Sequence, residues 1–263
     1  EKTDWTPAGL AALQGDATSL WAKWLVSRLG GDHAGDAAKA WVALSGWDGE
    51  MGERGAPALF ALVERHLQRA VFQDEATAAK LARFGSRWRL IRLLDGEMSP
   101  AWFDDVATPA QENRAATIDR ALAAAWQEGS QRWGSDVAQW PYAAIHNLQL
   151  GHTLGSAPLV GRLFNRGPFP VHGSSTTVMA FGGPWVGGEL DVEYGASMRL
   201  VNDLGDPDRG ISILPGGQSG HPFDPHYDDQ LPLYLRRETR PVPWTDDAIE
   251  KSTVSRLQLT PAL

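Results

Sequence analysis

The stretch GGQSGHPFDPHYDDQLPLY, residues 216–234, decides how this chain is read. It gathers His221, Asp224, His226, Asp228 and Asp229 beside a Gln-Ser pair flanked by glycines. Three readings compete for it. A divalent metal, zinc above all, would draw on His221 and His226 with the carboxylates. Tight ligand pairs sit on one helical turn or a rigid hairpin, and Pro222 and Pro225 interrupt this run. A nucleophile elbow, G-x-S-x-G, needs glycine two residues either side of the serine; Ser219 has Gly217 before it but His221 after it. The third reading is a structural corner. There the chain leaves a strand, turns through Gly216 and Gly217 at positive φ, and satisfies backbone groups of a buried bend with polar side chains.

Composition sets the outer bounds. The chain has 263 residues, 43% of them apolar, enough for a substantial core. A net charge of −8, with Lys and Arg scattered, excludes a phosphate-binding surface for nucleic acid. No apolar run approaches the ~18 residues of a membrane span. The absence of cysteine excludes disulfides, thiolate metal sites and a Cys nucleophile, and leaves the compartment open. The first residue is Glu1, with no initiator Met and no leader, which reads as a processed or trimmed terminus.

Along the chain two textures appear, helical over 1–140 and strand-like over 141–263. Thr6-Pro7 reads as a cap followed by proline at the first helical position. Leu10, Leu13, Ala17, Leu20 and Trp24 then predict one helix that ends at Gly30-Gly31. A further helix is predicted over 37–44, then a glycine-rich loop over 45–57. An amphipathic helix over 57–72 places Leu59, Leu62, Val63, Leu67 and Val71 on one face. Trp88, Leu90, Ile91 and Leu94 mark a shorter one. Thr108-Pro109-Ala110-Gln111 matches a capping box opening a helix through Ile118, Leu122 and Trp126. After Trp140-Pro141, residues 175–181, 196–204 and 210–215 read as strands. The turn at 206–210 makes the last two an antiparallel pair. A final helix starts at Thr245.

Other candidate residues read as structural. His33, His66, His146 and His152 fit core, loop or half-exposed helix positions. Ten of the twelve tryptophans precede residue 141, which favours packing between helices over stacking on sugars. The glycine-rich FGGPWVGGEL (181–190) lacks the Lys-Ser/Thr and the following helix of a phosphate loop. From these residues alone no nucleophile, base or metal set assembles.

The order YGASMRLVNDLGDPDRGISILPGGQSGHPFDPHYDDQLPLYLRRETRPVPW (194–244) resembles the C-terminal region of the large subunit of the penicillin acylase family, the N-terminal-nucleophile hydrolases. LQGDATSLWAKWL (13–25), LSGWDGEM (44–51) and GHTLG (151–155) follow in the family's order, so the likeness covers nearly the whole chain. It implies an α+β fold: part of an αββα sandwich, helical first and antiparallel strands second, one unit shared with partner chains. It implies amide hydrolysis of an acyl side chain by an N-terminal Ser, which lies on a segment other than this one. The partners implied are the small (alpha) subunit and the N-terminal part of the large subunit. The resemblance puts no cofactor on this chain. It allows calcium in the assembly through partner-chain residues, and a periplasmic or secreted location. Substrates stay open between β-lactam antibiotics, N-acyl homoserine lactones and acylated lipopeptides. Some cephalosporin acylases carry a glutamate where Ala196 stands, so that carboxylate relay is absent here. Within the family motif the structural residues are Gly217, Gln218, Ser219, Gly220, His226, Tyr227, Asp229 and Gln230; none is a catalytic or metal residue. The readings outside the family are a non-catalytic scaffold or binding fragment and a metal-dependent hydrolase at His221 and His226.

Overall fold

The computed structural model describes residues 4–78, 86–186 and 189–261. The helices in chain order are α1 (Pro7–Gln14), α2 (Leu20–Arg28), α3 (Gly35–Ser45), α4 (Ala56–Ala78), α5 (Arg87–Leu94), α6 (Arg114–Trp133), α7 (Pro158–Phe164), α8 (Leu231–Leu235) and α9 (Asp246–Ser252). Helix α4 is the axis of the first half. Leu59, Leu62, Val63, Leu67 and Val71 are fully buried, so the face predicted from their spacing is the one that packs. Each such side chain contributes roughly 1.5–3 kcal/mol by leaving water. Helix α6 lies against α3 and α4. Its residue Gly129 brings the helix onto the ring of Trp140, where a Cβ would stand 2.1 Å from a ring carbon. Trp140 is fully buried, and its indole N–H donates to the Gly134 carbonyl at 2.8 Å. Trp126 and Trp133 flank it, and Trp21 stacks on Trp24 at 5.3 Å. Most tryptophans therefore pack between helices, while Trp5, Trp88 and Trp244 are exposed.

Two helical expectations are corrected. The single helix from Thr6 to Gly30 is broken at Gly15. There the Asp16 carboxylate accepts from Thr18 N–H at 2.8 Å and Thr18 bridges to Glu50. Ser19 then caps α2 by accepting from Ala22 N–H. Bonding to a distant segment overrides the local apolar period. Similarly, Thr108-Pro109-Ala110-Gln111 opens no helix: Thr108 Oγ1 donates to Glu112 and to the Ala110 carbonyl within a turn. Helix α6 begins six residues after Thr108, at Arg114, capped by Asn113, which accepts from Ala116 N–H at 3.1 Å.

The strands are short: β1 (His146–Leu150), β2 (Arg166–Pro170), β3 (Phe181–Gly182), β4 (Trp185–Val186), β5 (Glu189–Val192), β6 (Tyr194–Gly195), β7 (Arg199–Val201), β8 (Ile211–Ile213) and β9 (Arg240–Pro241). They form sheets ordered β2-β1-β5-β4, β3-β6 and β7-β8-β9. The expected antiparallel pair across 206–210 is β7 with β8, Arg199 opposite Ile213. Among the named strands one pairing is parallel, β1 with β5, His146 opposite Leu190, and an isolated bridge between Ser174 and Ala180 is parallel too. The strand expected over 175–181 is a turn instead, reaching strand geometry only at Phe181. Its hydroxyls bond locally, Thr177 Oγ1 donating to Met179 O at 2.7 Å and accepting from Ser174 N–H at 2.9 Å. Ser and Thr offer the backbone that alternative to a ladder. Residues 187 and 188 of the glycine-rich run lie outside the described residues.

Apolar burial falls into two clusters. One spans the helices and ends at Ile145; the other joins Leu148, Val171, Phe181, Val192, Ile213 and Tyr234. Helix α9 opens with its predicted cap, Thr245 accepting from Ala248 N–H. Among the described residues no helix is long and apolar enough to cross a membrane.

Candidate functional site

Residues 216–234 carry the end of β8 over to α8. Gly217 is there for close approach. A Cβ on it would stand 1.9 Å from the His226 carbonyl oxygen, and neither Gly216 nor Gly217 has the positive φ expected of it. Ser219 N–H donates to His226 O at 3.1 Å, and Gln230 N–H to Gly216 O at 3.0 Å. The Gln230 side chain accepts from Leu214 N–H at 3.1 Å, and Tyr227 OH donates to Phe164 O at 2.6 Å. Asp229 accepts from His226 Nδ1 at 3.0 Å and lies 3.5 Å from Arg240. Asp224 accepts from His226 N–H, a backbone bond that holds its carboxyl below the usual range. Where a buried bend was expected, residues 216–229 are exposed or half-buried, and burial begins only with Gln230, Leu231 and Tyr234. The chain simply runs along the surface here. Among the described residues no three His, Asp or Glu side chains group so as to hold a metal ion.

A cleft of about 910 Å³ lies elsewhere, between α4 and residues 174–184. One wall is the face of α4 carrying Glu64, Gln68 and Arg69. Glu64 is 7% exposed and accepts from Trp21 Nε1 and Gln68 Nε2, each at 3.1 Å. Arg87, at the start of α5, clamps both Glu64 oxygens through Nε and Nη2 and donates from Nη1 to Ser175 Oγ at 2.7 Å. Such a bidentate pair fixes geometry as well as charge. Behind it Ser174, Thr176 and Ser19 form a hydroxyl chain with steps of 2.9 and 2.8 Å.

The remaining wall carries Tyr142 and His146. The Tyr142 phenol is fully buried and donates to Gly173 O at 3.2 Å; burial pushes its pKa well above the ordinary value. His146, the first residue of β1, is 1% exposed, and neither ring nitrogen has a hydrogen-bond partner in the protein. Burial lowers its pKa to about 4, so the imidazole is neutral at pH 7.

Of the other histidines, His66 is half-exposed on α4 and shares Glu128 with Arg65, and burial depresses its pKa. His33 bridges Asp119 and the Leu29 carbonyl. His152 stacks on Phe164 and accepts from Leu154 N–H. The cleft was not legible in the sequence. Glu64 and Arg87 stand 23 residues apart, and Ser175 and Thr176 read as the start of a strand. His146, flanked by Ile145 and Leu148, carried only a packing signal. Among the described residues no serine or threonine hydroxyl bonds to an imidazole, so the cleft can bind and orient a ligand but pairs no nucleophile with a base.

The comparisons give this geometry its setting. The fold is that of penicillin G acylase from Alcaligenes faecalis: TM-score 0.52 at 18% identity, over 94% of this chain and 48% of that one. The penicillin amidase family model matches residues 1–251, and the chain belongs to that family. It is 30% identical to an acyl-homoserine lactone acylase, QuiP, of Pseudomonas syringae pv. syringae over 237 residues, 86% of this chain. The QuiP of Pseudomonas aeruginosa is also 30% identical, over 252 residues. Penicillin acylase 2 proenzyme of Pseudomonas sp. strain SE83 is 31% identical over 66% of the chain. The chain spans 28% and 29% of the length of the two QuiP proteins and 20% of the proenzyme. The expected family and the α+β class hold.

Proposed function

We propose that this chain is part of an acylase that hydrolyses the amide of an N-acyl homoserine lactone. The observation that carries the reading is the 30% identity to acyl-homoserine lactone acylases over 86% of the chain. A β-lactam side chain is the alternative substrate favoured by the likeness to penicillin acylase 2 proenzyme.

The chemistry proposed needs an N-terminal serine on a segment other than this one. Its hydroxyl attacks the amide carbonyl while its own α-amine takes the proton; the amine product leaves, and water then releases the acid from the acyl ester. Cleavage of a precursor, a periplasmic or secreted location and association with a small subunit belong to the same proposal, on the strength of the family resemblance. Calcium, where the assembly uses it, falls to residues outside this chain, and no step is derived through it. In this division of labour the chain supplies scaffold: the α4–α6 helical layer, the sheets and the corner at 216–234. Incubating the whole protein with N-decanoyl homoserine lactone, and penicillin G in parallel, tests the reading through release of the free amine product.

A further inference from the structure

We infer that the cleft between α4 and residues 174–184 is a binding site for a small carboxylate with an apolar tail, its head taking hydrogen bonds from the His146 imidazole and the Ser175 hydroxyl. An acid of this kind is also the product of the hydrolysis proposed above, but the inference rests on residues of this chain alone and not on that reaction.

His146 is the first support. It lines the cleft, is 1% exposed, and has no protein partner at either nitrogen. Buried polar atoms in folded proteins are paired, because stranding them forfeits their bonds to water. A neutral imidazole carries one N–H and one lone pair, so it presents a donor to a ligand oxygen. Ser175 is the second support. Its oxygen accepts from Arg87 Nη1 at 2.7 Å, so its own O–H is spent neither on Arg87 nor on a base and is free to donate into the cleft it lines.

Charge does not oppose an anion there. The lining holds Arg65, Arg69 and Arg87 together with Glu64 and Glu193, on a chain whose net charge is −8. Arg87 is neutralised by Glu64, and Arg65 by Glu128. Arg69 is exposed on the rim, where it attracts an anion, with Glu193, also exposed, opposing it in part. The tail has apolar wall to lie on at Phe60, Phe72, Phe181 and Leu190. A volume of about 910 Å³ admits such an acid with room to spare.

The test uses the whole protein with its histidines labelled at 13Cε1, titrated with decanoate and, separately, with decanol. The expected result is a saturable shift of the His146 resonance with decanoate, assigned by its loss in His146→Leu, and at least about tenfold weaker binding of decanol. Arg69→Gln, an exposed change that leaves the core intact, weakens decanoate about tenfold and leaves decanol unchanged. It carries the test if His146→Leu does not fold. A His146 signal unmoved by millimolar decanoate overturns the inference, whether ordered water or another segment of the protein satisfies the imidazole. Equal binding of decanol, or indifference to Arg69→Gln, overturns it as well. The readout is binding, so its failure is separate from any failure to turn over an acyl amide.

Discussion

The imidazole of His146 lies stacked on the phenol of Tyr142, ring centroids 4.7 Å apart and planes at 23°. Both rings are buried, and burial drives their titrations apart, the phenol upward and the imidazole down to about 4. Across the neutral range the stack is therefore two uncharged rings. It sits where the helical cluster ends, at Ile145, and the strand cluster begins, at Leu148.

That pairing predicts a pH dependence. The folded-state pKa of His146 is below the ordinary 6.5, so between pH 6.5 and about 4 the unfolded chain binds a proton that the folded chain does not. Stability from this residue is fully present above pH 6.5, falls as pH drops through that window, and levels off below about 4. The full loss is up to about 3 kcal/mol. Unfolding measured from pH 7.5 to 4.5 in wild type and His146→Gln should show a shallower slope in the variant. Parallel slopes would mean that His146 titrates as an exposed histidine does.

Gly129 on α6 supplies a second prediction. Alanine is the better helix former by about 1 kcal/mol, so a purely local view expects Gly129→Ala to stabilise. The Trp140 ring lies 2.1 Å from where the new Cβ would sit, and Trp140 is fully buried. The substitution should instead cost about 1–3 kcal/mol through overpacking. A melting temperature that holds or rises would show that Trp140 repacks freely.

At the corner, Gly216 and Gly217 make a matched pair. A Cβ on Gly217 would meet the His226 carbonyl at 1.9 Å, whereas one on Gly216 would meet nothing nearer than Tyr227 O at 3.6 Å. Gly217→Ala should lower stability by about 1–3 kcal/mol and Gly216→Ala by less than about 0.5. Equal losses would contradict the close approach of 217 to 226.

These sites show how far the sequence could be read. The buried face of α4 was legible because its apolar period is unbroken and packing agrees with local propensity. The first helix was overextended because Leu10 to Trp24 kept the period, while the bonds that break it run from Asp16 to Met179 and from Ala17 to Met51. The Thr108 pattern matched a cap, yet Asn113 lies nearer the first buried turn of α6 and takes that role. In the motif at 216–234, His226, Tyr227, Asp229 and Gln230, named from the family resemblance, each make a hydrogen bond through their side chains. The motif's exposure could not be read, because that depends on what the rest of the chain covers. The cleft was illegible for the same reason: Glu64, Arg87, His146 and Ser175 meet only after four separate segments fold.

Product release by the whole protein, set beside this chain alone, bears most directly on the proposed division of labour. N-decanoyl homoserine lactone is incubated with each, and free homoserine lactone and decanoate are followed by mass spectrometry. The prediction is equimolar release of both products by the whole protein and none by the isolated 263-residue chain, because attack requires a nucleophile with a base beside it. Turnover by the isolated chain, or a whole protein that leaves both the acyl lactone and penicillin G intact, would contradict it.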